Sequence, residues 1–119
     1  MDISIDYHKD HKEWKSRLNF YVDEIKFFFK ELNKVFDHHK ENLAWMELID
    51  EYEAILDKKS DHIQSLLQRI NEAELSLGKE ANPEFSSKRH SELHLDFIRF
   101  EEKFLEMKKR FKRFASLND

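Results

Sequence analysis

Residues 7–39 read YHKDHKEWKSRLNFYVDEIKFFFKELNKVFDHH, and their spacing decides the fold. Apolar or aromatic side chains recur at Tyr7, His11, Trp14, Leu18, Tyr21, Ile25, Phe28, Leu32, Val35 and His39, alternately four and three residues apart. A repeat of about 3.5 residues keeps one stripe on the inner face of a helix wound on its neighbours. Two further stripes follow. One runs Trp45, Ile49, Tyr52, Leu56, Lys59, Ile63, Leu66, Ile70, Ala73, Leu77, and the other His90, Leu93, Phe97, Phe100, Phe104, Met107, Phe111, Phe114.

Composition agrees with an all-α chain. There is one Gly (Gly78) and one Pro (Pro83), too few for sheets or Gly-rich phosphate loops. At 119 residues a single domain spanning 1–119 is expected. The absence of Cys rules out disulfides and thiolate metal ligands and suits a reducing compartment. The first residues lack the basic and apolar regions of a signal peptide, and no apolar run approaches a membrane span. A cytoplasmic location is the expectation. Net charge is −4, unevenly spread: residues 41–80 hold ten acids and four bases, residues 81–119 seven acids and nine bases.

The spacing predicts helices over about 5–38, 42–77 and 83–116. Ser4 or Asp6 can cap the first and Asn42 the second, while Gly78 suits the second helix's C-terminus. Asn82-Pro83 reads as a cap followed by proline at the first helical position, with Ser87 as a competing start. A break at Ser60, inside Asp57-Lys58-Lys59-Ser60-Asp61-His62, would make four helices. The stripe keeps its phase there, so an unbroken helix is preferred.

Equal lengths imply an elongated antiparallel three-helix bundle, up-down-up, with coiled-coil-like heptads. Residue n of the first helix then lies level with about n + 81 of the third. This sets Arg17 near Glu101 and Lys108 near Glu24 and Glu31, so the charged edge of helix one faces helix three. Its apolar edge of Val22, Phe29 and Phe36 faces helix two, where Met46 and Leu67 flank the stripe.

That topology gathers histidines. His8 and His11 begin the first helix, His90 and His94 begin the third, and Glu74 arrives from the second. Spacings of three and four put each His pair on one helical face. Imidazole and carboxylate groups of this kind suit a transition metal such as Zn or Fe. The candidate metal ligands are therefore His8, His11, Glu74, His90 and His94, with Asp10 orienting a His from behind. The same residues also fit a polar, water-accessible bundle end. The group partly resembles hemerythrin and ferritin-like sites, but the further ligands of the first and the paired E-x-x-H motifs of the second are missing. No catalytic residue is carried over from either.

Lys103, Lys108, Lys109, Arg110, Lys112 and Arg113 form a basic stretch interleaved with Phe104, Phe111 and Phe114. It could serve an anionic surface. Antiparallel packing instead lays it beside Glu47, Asp50, Glu51 and Glu53, which accounts for it without a ligand. Phe20 and Phe27, with Leu95, Ile98 and Leu105, fall outside the inner faces and suggest burial against another copy of the chain. No nucleophile arrangement stands out.

His8-x-x-His11-x-x-Trp14 with Leu18, followed by Phe20-x-x-Asp23-Glu24-Ile25, resembles the start of small, uncharacterised, all-helical bacterial proteins. The likeness covers about the first thirty residues, and it implies a helical bundle without implying an activity. The reading is a non-catalytic helical interaction or scaffold protein that forms homo-oligomers, with no cofactor, nucleic acid or membrane span. The alternative is a metal-binding helical bundle built on the histidine end.

Overall fold

The computed structural model describes residues 3–77, 79 and 82–118. Three helices follow one another: α1 (Ile3–His38), α2 (Leu43–Ser76) and α3 (Pro83–Ser116). They lie side by side as an antiparallel three-helix rod measuring 61 × 19 × 18 Å. Among the described residues there are no strands, and no helix is long and apolar enough to cross a membrane.

The three stripes form the core. Leu18, Leu56, Ile63, Leu66, Ile70 and Phe104 are completely buried, and the other apolar stripe residues between Trp14 and Val35 close round them. Burying each large side chain is worth about 1.5–3 kcal/mol, which is what holds helices of this length together. Lys59, the charged member of the second stripe, lays its stem along the core and holds Nζ 5.7 Å from the centre of the Phe100 ring. α2 runs unbroken past Ser60.

The helix ends differ in detail from the sequence reading. α1 begins at Ile3, so Ser4 and Asp6 lie inside it and not ahead of it. Asp6 sits in the first turn, where a carboxylate complements the exposed N–H groups. Asn42 caps α2 by accepting from the Trp45 amide at 3.2 Å. Asn82 caps α3 by accepting from the amides of Glu84 and Phe85, with Pro83 opening the helix. Ser87 is therefore internal to α3. The C-terminal cap of α2 is Leu77, whose amide donates to Glu74 O; Gly78 lies outside the described residues. The α1–α2 turn needs no glycine, because the His39 amide donates to Phe36 O and the Asn42 amide to His39 O.

Polar pairs set the register. The Tyr21 hydroxyl donates to Glu101 Oε2 at 2.6 Å, Arg17 Nε approaches the same oxygen at 3.4 Å, and Lys108 pairs with Glu24 at 2.5 Å. The charged edge of α1 thus faces α3, while Val22, Phe29, Met46 and Leu67 pack against the core. Glu31 bonds Lys34 on its own helix and leaves Lys108 to Glu24. The expected ionic match between the basic end of α3 and the acids of α2 does not form. Among the described residues no ion pair joins Lys103, Lys109, Arg110, Lys112 or Arg113 to an acid; the α2–α3 ion pair is Arg69–Asp96 at 2.8 Å. A groove of about 430 Å³ lies between α2 and α3, bordered by Glu51, Tyr52, Lys103 and Arg110.

Candidate functional site

The starts of α1 and α3 meet the end of α2, and the histidines converge there. His8 and His11 are three residues apart on one face of α1. Both reach the same carboxylate: His8 Nδ1 donates to Glu74 Oε2 at 2.5 Å, and His11 Nδ1 donates to Glu74 Oε1 over a long 3.4 Å. His90 of α3 turns to α1, where its Nε2 donates to Asp10 Oδ2 at 3.0 Å. A carboxylate only accepts, so these contacts assign the N–H of each ring.

Aromatic rings hold the imidazoles in place. Tyr7 lies flat on His90, with centroids 3.8 Å apart and planes 10° from parallel. Trp14 stacks on His90 at 5.0 Å and on His94 at 5.3 Å. His11 and His90 face each other with centroids 5.4 Å apart and planes tilted by 49°. His11 is only 2% exposed, whereas His94 lies at the surface. Arg89 Nη1 donates to Ser76 Oγ at 3.1 Å and ties α3 to the end of α2.

Burial pushes the His11 imidazole below its usual 6.5, against the pull of Glu74. Burial alone would raise the Glu74 carboxyl, but the hydrogen bonds from His8 and His11 outweigh it and hold the group below its usual 4.5. Two ring nitrogens, His11 Nε2 and His90 Nδ1, are buried with no protein partner. A cavity of about 20 Å³ is lined by both rings together with Tyr7, Ser76, Ser86 and Arg89.

The five candidate ligands therefore divide. His8, His11 and Glu74 form one connected group. His90 sits beside His11 but bonds Asp10, and His94 packs outside on Trp14. Among the described residues, no three His, Asp or Glu side chains converge closely enough to hold an ion by themselves. The sequence placed Trp14 with His8 and His11 but gave it no stacking role, and gave Tyr7 and Arg89 no part in this end. Tyr7 and Trp14 were visible as members of the His11 stripe, but the Arg89–Ser76 bond left no spacing signal.

At the opposite end, His38 and His39 both contact Asn118 Oδ1, at 3.2 and 2.9 Å, and His39 stacks on Trp45 at 4.0 Å. These two rings tie the α1–α2 turn to the end of α3. His62 stands edge-on to Phe100, and burial, then the nearby Lys59 charge, lowers its pKa.

A second feature lies along the rod. Phe20 is 58% exposed, Phe27 56%, Leu95 51%, Leu105 44% and Ile98 37%. Phe20 and Phe27 each precede a core residue, Tyr21 and Phe28, which turns them beyond the Arg17–Glu24 edge toward α3. Ile98 and Leu105 each follow a core phenylalanine, which turns them beyond the Glu101–Lys108 edge toward α1. Leu95 lies one step further round α3. The two apolar sets therefore border one seam, and a groove of about 350 Å³ continues it past Phe27, His38 and Lys112.

No family model, no curated protein and no solved structure matches this chain.

Proposed function

We propose that the chain is a non-catalytic helical interaction protein whose α1–α3 face packs against a second copy of itself. The exposure of Phe20 and Phe27 beside Ile98 and Leu105 carries this reading. Each such side chain gains about 1.5–3 kcal/mol when taken out of water, and a two-fold interface uses every one of them twice. Two ion pairs along this seam are made within the chain, Arg17 with Glu101 and Lys108 with Glu24. These pairs reduce the charge that the face presents to a like face. A rod 61 Å long and 19 Å wide offers enough area for the roughly 800 Å² per partner of a stable dimer.

Nucleic acid has no part in this reading; in the α2–α3 groove, Glu51 and Glu106 stand among Lys103 and Arg110. A cytoplasmic location belongs with it, since a chain without Cys suits a reducing compartment. Sedimentation velocity over a wide concentration range tests the proposal. A dimer is expected for the natural chain and a monomer of unchanged helicity for the F20S/F27S double variant. A single monomeric species throughout would overturn it.

A further inference from the structure

We infer that His11 and His90 form a two-imidazole site for a borderline divalent cation of the zinc class, with Glu74 and Asp10 as the carboxylates that orient them. The inference is independent of self-association. It starts from proton positions. A neutral imidazole carries one N–H and one lone pair. Glu74 takes the N–H at His11 Nδ1, and Asp10 takes the N–H at His90 Nε2. The lone pairs are thereby left on His11 Nε2 and His90 Nδ1, the two nitrogens that are buried and have no protein partner. A carboxylate on one nitrogen and a free lone pair on the other is how histidines are prepared for metal binding.

Geometry fits the same occupant. Two imidazoles on one tetrahedral zinc-like ion, with Zn–N bonds of 2.0–2.1 Å, place their ring centres about 5 Å apart. His11 and His90 are 5.4 Å apart and not coplanar. The cavity they share, about 20 Å³, has room for one small ion or one water. Stacking on Tyr7 and Trp14 fixes the His90 ring, and near-complete burial fixes His11.

The donors select the ion. Two neutral nitrogens suit zinc, copper, nickel or cobalt and do not suit magnesium or calcium, which need oxygen ligands. Glu74 and Asp10 offset the double positive charge from behind the rings. Arg89 also borders the cavity, where its Nη1 is held by Ser76 Oγ. With two protein ligands the ion remains exchangeable. His8 acts only through Glu74, and His94 has no part.

The test uses full-length protein prepared without an affinity tag and stripped with chelator. Zinc titration by calorimetry at neutral pH should give one equivalent per chain. Imidazole nitrogen NMR should move His11 Nε2 and His90 Nδ1 in the natural chain, a readout that needs no variant to fold. H90Q, which changes a partly accessible ring, should abolish the binding with far-UV circular dichroism unchanged. D10N should weaken it by roughly tenfold to a hundredfold, as loss of an orienting carboxylate does. H38Q/H39Q should leave it intact. Absence of zinc binding, binding lost in H38Q/H39Q but kept in H90Q, or NMR shifts confined to other histidines would each overturn the inference.

Discussion

Removing one oxygen atom from the α1–α3 seam tests how the register is held. The Tyr21 hydroxyl donates to Glu101 Oε2 at 2.6 Å, a length typical of a hydroxyl on a charged acceptor. Tyr21 is 7% exposed, so water cannot replace the bond from the tyrosine side. Hydrogen bonds to charged groups contribute about 1.5–3 kcal/mol. Arg17 stays 3.4 Å from Glu101 in the Y21F variant and keeps the carboxylate from being stranded, which favours the lower part of that range. The expected loss is about 1.5–2 kcal/mol, or roughly 6–8 °C in Tm for a domain of this size. Urea unfolding followed by far-UV circular dichroism measures it, with an unchanged m-value showing that the fold is kept.

The same bond predicts a pH dependence. Burial first, then the bond to Glu101, raises the Tyr21 phenol well above its usual 10.0. Above that pH the unfolded chain releases a proton that the folded chain retains. The unfolded state then binds fewer protons, so this contribution is complete below 10.0 and is lost as pH rises toward the folded value. The stability difference between the natural chain and Y21F should therefore shrink in strongly alkaline solution. A Y21F variant as stable as the natural chain at neutral pH, or a difference that does not change with alkalinity, would refute the reasoning.

Acid should weaken the histidine end in two stages. His11 is lowered from 6.5, so the unfolded chain takes up a proton first and stability falls as pH drops through 6.5 toward the folded value. Glu74 is lowered from 4.5, so its contribution is present above 4.5 and is lost as pH falls through the folded value. A urea midpoint that stays flat as pH falls from about 7.5 to 4.5 would contradict the first stage, and one that stays flat below 4.5 the second. F104A, at a fully buried position, should cost about 3–5 kcal/mol, while F27S at its exposed position should cost the isolated chain far less; chemical denaturation of both variants at low concentration makes the comparison. N82A removes the acceptor for two amides at the start of α3 and should lower stability by about 1 kcal/mol, read as a Tm decrease.

Much of the fold could be read from residue spacing, because helical period and capping are local. The stripe through Leu18, Ile25 and Leu32 specifies a buried face whatever lies opposite, and Asn42 and Asn82 mark helix starts through contacts two or three residues away. Even the antiparallel register was legible, since Arg17 with Glu101 and Glu24 with Lys108 leave a charge pattern along two equal helices. The histidine end was legible only as a gathering. Which carboxylate each ring chooses depends on rotamers set by packing: His8 and His11 share Glu74, His90 turns to Asp10, and His94 leans outward on Trp14.

The charges of α3 mark the same boundary. Composition placed a basic stretch opposite an acidic one, and level matching made them neighbours. The helix faces decide otherwise, because Lys108 points to α1 while Lys103 and Arg110 border a groove across from Glu51. By itself, the sequence determined that three long helices form, where they turn and in what register they lie, since these follow from short-range geometry and repeated patterning. Only the tertiary structure decided which polar groups meet. It left two imidazole nitrogens buried without a partner, because meetings across helices depend on side-chain direction, which spacing does not encode, whereas the exposure of Phe20 and Phe27 follows from their place beside the stripe.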